Sequence, residues 1–369
     1  MLKVKKEDLI QGFSIVDRVI KLTPTMPILS NIFVSKEKDK GVLIATDLEV
    51  GIKYFFDFEG EIENFIVPSR TFENLIRTLP NEYIEITKKD SYIYINSDGK
   101  EYKIRTIEDE YPFISISDVS KEIYIKKETL RNGIRKTSFS ISDPQKGRIE
   151  FASLLIEVKG DDIKMVSTDG NRLSIFKTSE FKKDDSEFNF LIPRNCAQVL
   201  DKVLSSEEKE SVKFGFSNKS FYYEGEKVYL ISRLGQGNFP DYEMVLPKKE
   251  ENFVLIDRNS LIDSLTRILL ITREGSGKVI FDFSDKVLTL KGSSVDVGEG
   301  SEEIDIKEGK IEKNKIILDN RKILEGLKVM NEDIVKIIFI DSESPVTCKE
   351  GDYYLYVIMP YRSEWSSKN

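Results

Sequence analysis

Hydrophobic and polar positions along the chain form a strand-then-helix pattern that occurs three times. In each copy, alternating apolar residues give way to apolar residues three or four positions apart, the spacing of one helix face. The copies are LKVKKEDLIQGFSIVDRVI from Leu2, IYIKKETLRNGIRKTSFSI from Ile123, and FVLIDRNSLIDSLTRILLI from Phe253. Each copy therefore predicts a short strand followed by an amphipathic helix.

A second strand-and-helix pattern follows each first one. Its copies are IVPSRTFENLIRTLP from Ile66, LIPRNCAQVLDKVL from Leu191, and ILDNRKILEGLKVM from Ile317. The residues near the turns that we predict to be helix N-caps are Ser69, Asn195 and Asn320. Stretches with period-two alternation, such as YIEIT and YIYIN, predict antiparallel strands between the helices. The repeating unit is one helix plus several strands.

The repeats divide the chain into three similar domains, predicted to span residues 1–120, 121–249 and 250–369. Charged or proline-containing stretches precede the second and third domains and place the boundaries near Ser120 and Lys249. Chance coincidence of strands and helices is the alternative, but six matched starts at near-constant spacing disfavour it. The predicted fold class is α+β, with two helices packed on antiparallel sheets in each domain.

Composition excludes several kinds of chemistry. The chain has no histidine, so Ser-His-Asp triads, HExxH zinc sites and histidine general bases are excluded. The cysteines at 196 and 348 lack metal-ligand spacing, and we interpret them as packing residues. We predict no cofactor, no metal and no catalytic residue.

The chain also lacks the sequence signals of membrane insertion and secretion. Its longest apolar runs, such as Ile268–Ile271, are far shorter than the roughly 20 residues that cross a bilayer. The first residues, MLKVKKED, carry charges but no apolar core of a secretory signal. We therefore predict a cytoplasmic protein with no membrane partner.

Positive charge is concentrated in the predicted helices. The chain has a net charge of −8, yet the six helical segments contain 19 basic and 10 acidic residues. The helices thus carry +9 and the remainder −17, and each of the six segments has a basic excess. The segments are 5–21, 69–78, 126–136, 193–202, 257–273 and 319–328. A solvated charged face explains any one helix, but the shared bias of all six predicts a surface suited to a phosphate backbone.

Five motifs give the chain a resemblance to a known family over essentially its whole length. They are PILSNI from Pro27, TDLEV from Thr46, STDGNRL from Ser167, NFPDYEMVLP from Asn238, and YVIMPYR from Tyr356. With these motifs the chain resembles the β subunit of bacterial DNA polymerase III, the sliding clamp. The resemblance implies a head-to-tail homodimeric ring of three-domain subunits, with helices inside and sheets outside. Such a ring is a processivity factor, not an enzyme, and it encircles double-stranded DNA without reading its sequence.

The resemblance also implies a hydrophobic cleft that receives short peptides. The expected partners are the DNA polymerase III core, the clamp loader, other polymerases and repair proteins. The matching cleft positions are Arg148, Phe151, Thr168, Gly170, Asn171, Arg172, Leu173, Pro240, Met244, Val245, Val357, Ile358, Met359, Pro360, Tyr361 and Arg362. Asn171 and Met244 depart from the residues common in the family, histidine and arginine, so the polarity of the cleft rim differs.

Two further residue sets follow from the resemblance. The expected DNA contacts are Arg70, Arg77, Gln145, Lys146 and Arg194. The expected dimer contacts are Tyr102 and Ile104 of one subunit against Arg267, Leu270 and Ile271 of the other. Thr23 stands where the family's best-known pattern has arginine, which removes one phosphate contact. The tail from Ser363 to Asn369, with the single tryptophan Trp365, extends past the usual family end.

Two other functions stay open at this point. A repeat-built peptide-binding scaffold that does not encircle DNA would be a monomer without a helical charge bias. A carboxylate enzyme would use Asp47 and Asp169. Because both aspartates occupy the same place in successive repeats, a turn-stabilising role suits them better than one active site.

Overall fold

The computed structural model of the protein describes residues 1–21, 23–114, 121–183, 187–217, 219–247, 250, 252–311 and 314–362. The predicted domain boundaries at Ser120 and Lys249 and the tail Ser363 to Asn369 lie outside these residues. The boundaries therefore stay a prediction.

The described helices match the predicted ones closely. They are α1 (Lys6–Val16), α2 (Ser69–Thr78), α3 (Lys127–Ser138), α4 (Arg194–Ser206), α5 (Arg258–Thr272) and α6 (Asn320–Lys328). Each begins within one residue of its predicted start. Helix α1 ends five residues earlier than the predicted Lys21, because the backbone tightens into i,i+3 bonds from Arg18 to Ile15 and from Val19 to Val16. None of the described helices combines the length and apolar character needed to span a membrane.

The predicted N-cap of α6 is wrong by one position. Asp319, not Asn320, caps α6, and its carboxylate accepts the N–H groups of Arg321 and Lys322 at 3.0 and 3.1 Å. Asn320 is fully buried and donates to the carbonyl of Leu265 instead.

The predicted cap of α2 is displaced by one position as well, and that of α4 by two. Pro68 is the N-cap of α2, and the hydroxyl of Ser69 is buried without a hydrogen-bond partner. Asn195 is the second residue of α4 and donates to Asp47 at 3.1 Å. These short polar side chains are turned into the protein, where they pack or bond tertiary partners instead of their own helix end.

The strands form antiparallel sheets throughout the described residues. They are β1 (Leu2–Lys5), β2 (Asn31–Glu37), β3 (Lys40–Thr46), β4 (Val50–Phe56), β5 (Glu59–Gly60), β6 (Phe65–Pro68), β7 (Tyr83–Lys89), β8 (Tyr92–Ser97), β9 (Lys100–Arg105), β10 (Lys121–Lys126), β11 (Ser153–Lys159), β12 (Asp162–Thr168), β13 (Arg172–Thr178), β14 (Phe181–Lys183), β15 (Phe188–Pro193), β16 (Ser211–Phe216), β17 (Ser220–Glu224), β18 (Val228–Arg233), β19 (Asn252–Asp257), β20 (Lys278–Phe283), β21 (Val287–Ser294), β22 (Gly298–Lys310), β23 (Asn314–Asp319), β24 (Ile334–Phe339), β25 (Val346–Glu350) and β26 (Tyr354–Ile358).

One compact unit comprises Met1–Arg131, Glu180–Ser186 and Asn195–Leu234. It holds a five-stranded sheet in the order β5-β1-β7-β8-β9 and a nine-stranded sheet in the order β14-β10-β16-β17-β18-β4-β3-β2-β6. Helices α1 and α2 pack together through Phe13 and Phe72, whose rings meet edge-on at 5.4 Å. Gly12 lets α1 approach the sheet, since a Cβ there would lie 2.6 Å from Tyr54.

The other compact unit comprises Asn132–Ser179, Glu187–Arg194 and Gly235–Asn369. Its twelve-stranded sheet has the order β15-β11-β12-β13-β26-β25-β24-β19-β22-β21-β20-β23. Strands β13 and β26 pair with Leu173 opposite Val357, which joins two successive repeats into one sheet. Helix α6 lies close to β26 at Gly326, where a Cβ would be 2.3 Å from the Tyr356 ring.

Candidate functional site

Apolar side chains form a buried cluster on one face of β11, β12, β13 and β26. Leu173 lies opposite Val357, and Val166 lies opposite Ile175 and Leu155, so all five share that face. We call this set the apolar floor; its buried members are Leu155, Val166, Leu173, Ile175, Leu191 and Val357, with Phe239, Tyr242, Leu246 and Leu355 packed against them.

The 3₁₀ turn Tyr242–Val245 packs against this floor through Tyr242. Asp241 caps the turn by accepting the N–H of Glu243 at 3.1 Å, and Tyr242 anchors it with a hydrogen bond to Glu157 at 2.7 Å. Burial and the Glu157 hydrogen bond raise the pKa of Tyr242 well above its ordinary value, so its hydroxyl stays a donor. The other side of the turn leaves Met244 and Val245 exposed at 77% and 41%.

The turn between β12 and β13 closes one end of the floor. Asp169 accepts the N–H groups of Asn171 and Arg172 at 2.9 and 3.1 Å, and Thr168 bonds the carbonyl of Arg172. Gly170 has φ +88°, a conformation that favours glycine, and a Cβ there would lie 3.2 Å from Phe151. The turn geometry thus fixes where Asn171 is displayed.

The guanidinium of Arg172 is bonded within the protein and is not a free cation at the border of the floor. Its guanidinium bonds Asp169 at 3.1 Å, the carbonyl of Phe139 at 3.0 Å, and Glu325. It also lies over the Phe139 ring, 5.2 Å from the centroid. Arg148, by contrast, is exposed and stacks on Phe151 at 5.6 Å.

The chain after β26 runs along the other end of the floor. The N–H of Met359 donates to Asn171 at 2.8 Å, and the N–H of Tyr361 donates to Ile317 at 2.8 Å. The ammonium group of Lys278 lies over the Tyr361 ring at 4.6 Å. Both Met359 and Tyr361 are partly exposed, at 41% and 37%.

Most of the expected cleft residues lie in or around this floor. Some are buried in it, and others are exposed or half-buried at its border. Leu173 and Val357 belong to the floor, whereas Ile358 alternates to the opposite face and is buried. Exposed residues at the periphery are Arg148, Gly170, Asn171, Pro240, Met244, Val245, Met359, Tyr361 and Arg362, and half-buried ones are Phe151, Arg172 and Pro360. Sequence reasoning missed the other members of this cluster, which are Leu155, Val166, Ile175, Leu191, Phe239, Tyr242, Leu246 and Leu355. For those that lie on strands, alternation was the only signal.

Two of the expected DNA contacts lie on α2. Arg70 is exposed in the first turn of the helix, and no ion pair forms there among the residues described. Arg77 in the last turn bonds Glu73 with both Nε and Nη2, at 2.9 and 2.7 Å. Arg70 is therefore the freer cation of the two.

The other three expected DNA contacts lie near the end of α3 and the start of α4. Gln145 and Lys146 are exposed on a turn held by Asp143, whose backbone and side chain accept their N–H groups at 3.0 Å. Arg194 is half-buried and donates to the carbonyl of Ile141 at 2.7 Å. Its charge is thus partly satisfied by the protein.

The count of basic residues in the helices overstates the charge available at the surface. Lys136 of α3 is fully buried beside Glu350. Lys127 donates to the carbonyl of Glu207 at 3.1 Å, and Arg131 lies 3.7 Å from Asp201. Arg135 is exposed.

The expected dimer residues lie at two sheet edges. Strand β9 pairs only with β8 among the described strands, and Tyr102 is exposed on it. In β22, the half Gly298–Asp305 pairs with β21 on one side, while β19 pairs with the other half of the strand. Both strands therefore offer free backbone N–H and C=O groups.

The end of α5 lies over the free half of β22. A Cβ on Gly300 would be 2.6 Å from Ile271, and Arg267 pairs with Glu302 through two bonds of 2.7 and 2.6 Å. Leu270 is 61% exposed, and the hairpin tip beside this strand exposes Val295 and Val297. This edge is unusually apolar for a surface.

Asp47 and Asp169 make equivalent turns. Asp47 accepts the N–H groups of Glu49 and Val50 at 3.0 and 2.8 Å, as Asp169 does for Asn171 and Arg172. The carboxylates hold backbone turns, as an Asx-type turn requires. No group of three or more possible metal ligands occurs within the described ranges.

Three family profiles match the chain in the order of its repeats. They are the N-terminal domain of the DNA polymerase III beta subunit at residues 1–115, its central domain at 124–241 and its C-terminal domain at 243–362. Curated relatives include the beta sliding clamps of Pseudomonas aeruginosa and Pseudomonas putida, 25% and 27% identical over 97% of this chain and 99% of theirs.

Solved structures with the same fold cover the whole length of the chain. The DNA polymerase III subunit beta of Pseudomonas aeruginosa superposes with a TM-score of 0.92 at 25% identity, covering 98% of this chain and 100% of that one. A sliding clamp from the same organism, solved bound to griselimycin, gives a TM-score of 0.91 at 24% identity, covering 98% and 99%.

Proposed function

The chain belongs to the family of the DNA polymerase III beta subunit, and we infer from this that it is a DNA sliding clamp. It encircles duplex DNA and tethers the replicative polymerase to its template. The observation that carries the inference is the match of all three domains, in order, across the chain. We further propose that the domains span residues 1–120, 121–249 and 250–369.

Ring closure is proposed to join β9 of one subunit to the free half of β22 of another. Each strand has an unpaired edge among the described strands, and unpaired edges associate readily. On the side that faces the helices, the exposed Tyr102 would meet the apolar surface of Leu270 and Ile271, whereas Ile104 is already buried within its own subunit. Such contacts remove exposed apolar area from water at roughly 25 cal/mol per Å².

The opposite side of the same junction carries complementary charge. Lys103 and Arg105 alternate with Tyr102 and Ile104, so they lie on the outer face of β9, where Lys103 rests on the Tyr92 ring at 3.9 Å. On β22, Glu299 and Glu303 alternate with Gly300 and Glu302 and also face outward. Lys103 and Arg105 would thus meet Glu299 and Glu303. This charge complementarity favours pairing of β9 with β22 over pairing of either strand with its own copy.

DNA contact is proposed to be electrostatic and independent of sequence. Arg70, Gln145 and Lys146 are exposed, and Arg77 and Arg194 add positive charge, although Arg77 pairs with the Glu73 carboxylate and Arg194 donates to a backbone carbonyl. Phosphate contacts of this kind give weak, salt-dependent binding that permits sliding. The ring, not the strength of these contacts, would keep the protein on DNA.

Partner binding is assigned to the apolar floor and its rim. The floor is a buried apolar cluster, and the exposed side chains of Met244, Val245 and Met359 lie at its border, on the 3₁₀ turn and on the chain after β26. An extended peptide with leucine or phenylalanine side chains would bury them there, as in other hot-spot pockets. The expected partners are the DNA polymerase III core, the clamp loader and repair proteins with short linear motifs.

The protein is proposed to act without catalysis, in the cytoplasm, where bacterial DNA is replicated. The turn-forming roles of Asp47 and Asp169 support a non-enzymatic role, because both carboxylates are already occupied by backbone N–H groups. The competing scaffold function predicts a monomer that binds peptides but never DNA.

One experiment separates the clamp from the scaffold. The protein is assembled on nicked circular DNA with the clamp loader and ATP, the complex is isolated, and the DNA is then linearised. A clamp leaves through the free ends, so the retained fraction falls after linearisation but not after mock treatment. Retention that is equal on linear and circular DNA, or absent on both, would contradict encirclement.

A further inference from the structure

Sulfur occurs in two contrasting environments in this chain. Both cysteines are fully buried, and burial raises the pKa of each thiol to about 12. Neither thiolate forms at neutral pH, so neither cysteine is a reactive site. Among the six methionines, Met165 and Met330 are buried as well.

The accessible sulfur belongs to four methionines, and two of them border the apolar floor. Met244 and Met359 are 77% and 41% exposed, and Met1 and Met26 lie elsewhere. An oxidant dissolved in water therefore meets thioether sulfur at the cleft and no reactive thiol among the described residues.

Met359 is the better placed of the two cleft methionines. Its backbone is held by the bond to Asn171, and two residues later Tyr361 is held by the bond to Ile317. Met359 directly follows β26, and if the strand alternation continues, its side chain is on the same side as Leu355 and Val357, at the end of the floor. The thioether thus has a fixed backbone and a partly open surface.

We propose that Met359 is a sulfoxidation site at which hydroperoxides weaken partner binding. The proposal depends on the partner cleft proposed above. The sulfur lone pair attacks one peroxide oxygen, the O–O bond breaks, and the sulfur keeps that oxygen as a sulfoxide. The proton on that oxygen passes to the departing hydroxyl, which leaves as water when the oxidant is hydrogen peroxide, so the sulfur is oxidised and the peroxide reduced by two electrons.

The sulfoxide replaces an apolar contact by a strong acceptor. A peptide that covers the end of the floor would bury this oxygen without a matching donor, because the N–H of Met359 is already used by Asn171. Burying an unpaired polar group of this kind is expected to weaken binding roughly tenfold. Methionine sulfoxide reductase reverses the change, so the modification is suited to temporary release of partners.

The test uses the full-length protein and a labelled pentapeptide that carries leucine and phenylalanine side chains. Fluorescence anisotropy gives Kd before and after treatment with hydrogen peroxide, and peptide mapping by mass spectrometry gives the oxidised fraction at each methionine. We expect Kd to rise roughly tenfold in step with oxidation of Met359, and methionine sulfoxide reductase to restore it.

Four variants locate the effect. In Met359→Leu, whatever its starting Kd, the ratio of Kd after and before peroxide should be close to one. Met244→Leu and the distant Met26→Leu should keep the wild-type ratio. Met359→Gln, which places a polar group of similar length there without oxidant, should bind about tenfold more weakly than Met359→Leu.

The outcomes distinguish the two proposals. If the untreated wild-type protein does not bind the pentapeptide, the partner cleft is wrong. If the untreated protein binds and complete oxidation of Met359 leaves Kd unchanged, the cleft stands and the sulfoxidation proposal is overturned. A ratio that returns to one only in Met244→Leu would move the site to the 3₁₀ turn and likewise overturn it.

Discussion

Lys136 and Glu350 form an ion pair in which neither side chain is more than 1% exposed. The pair joins α3 to β25. Lys136 also donates to the carbonyl of Val329 at 2.9 Å and lies over the Tyr354 ring at 4.6 Å. Glu350 accepts a further bond from the N–H of Glu332 at 2.8 Å. A buried pair with this many partners couples two successive repeats.

Removal of one partner is expected to destabilise the protein strongly. Lys136→Met keeps most of the side-chain volume but leaves the Glu350 carboxylate buried without its counter-charge, which costs about 3 to 5 kcal/mol. Urea unfolding followed by circular dichroism measures the loss. Lys349→Met is the matched control, because Lys349 pairs with Glu250 and Asp352 near the surface and should cost under about 1 kcal/mol. Equal losses in both variants would contradict a special role for the buried pair.

The same pair predicts a dependence of stability on pH. Burial alone would raise the pKa of Glu350, but hydrogen bonds from Lys136, Asn331 and Glu332 outweigh it and hold the pKa below its ordinary value of 4.5. A lowered folded-state pKa contributes stability that is present above about pH 4.5 and is lost as the pH falls through the folded-state value. Unfolding free energies measured between pH 7 and pH 3 should therefore fall more steeply in the wild type than in Glu350→Gln. Parallel curves would show that other carboxylates dominate acid unfolding.

DNA binding should separate Arg70 from Arg194. Arg70 is exposed, whereas the guanidinium of Arg194 donates to Ile141. Arg70→Ala should weaken binding to a short duplex and reduce the slope of log K against log salt by about 0.9, the value of one phosphate contact. Arg194→Ala should change the slope less and lower stability instead. Anisotropy titrations at several salt concentrations measure the slope, and a larger change for Arg194 would reverse our ranking.

Strand and helix positions could be predicted from the sequence because the apolar spacing is regular in all six repeats. Tertiary contacts decided the points where prediction failed. The N-caps shifted because Ser69 and Asn320 are turned into the core, and local sequence preference cannot show this. Likewise, Lys136 counts as a surface charge in any sequence tally, yet its partner Glu350 lies 214 residues away.

The cleft residues depended on the resemblance for the same reason. Leu173 and Val357 lie opposite each other in paired strands, but 184 positions separate them along the chain. The alternation of apolar residues predicts both as core residues, and both are buried. It does not indicate that they lie at a binding site. Arg172 shows that a residue role implied by a family resemblance can differ in the structure. Its guanidinium bonds Asp169, Glu325 and Phe139, so it does not line the cleft as a free cation.

Truncation of cleft residues should weaken partner peptides without affecting assembly. Met359→Ala removes an exposed apolar side chain and should raise Kd for a leucine- and phenylalanine-containing peptide roughly tenfold. Leu173→Ala should do the same and also cost about 2 to 5 kcal/mol of stability, because Leu173 is buried. Peptide titration and sedimentation of the same samples check both expectations. Met26→Ala, exposed elsewhere, is the control, and unchanged affinity in both cleft variants would refute the assigned surface.

Disruption of the proposed ring junction should give monomers. Leu270 is exposed at the end of α5, and Ile271 packs on Gly300 of β22. The double variant Leu270→Asp, Ile271→Asp places two negative charges over the face of β22 that carries Glu302 and removes the apolar contact, so the dimer loses both charge balance and buried apolar area. Sedimentation velocity at micromolar concentration should show one species of about 42.5 kDa instead of a dimer.

A helix-surface control separates this effect from a general effect of added charge. Asn259 is exposed in the first turn of the same helix, so Asn259→Asp adds a negative charge about 16 Å along the helix from Leu270. This variant should remain dimeric and should stay on circular DNA, whereas the double variant should not be retained. Because retention depends on a closed ring and not on the strength of phosphate contacts, loss of the dimer should abolish it even at low salt. A double variant that sediments as the wild type would place the subunit junction elsewhere.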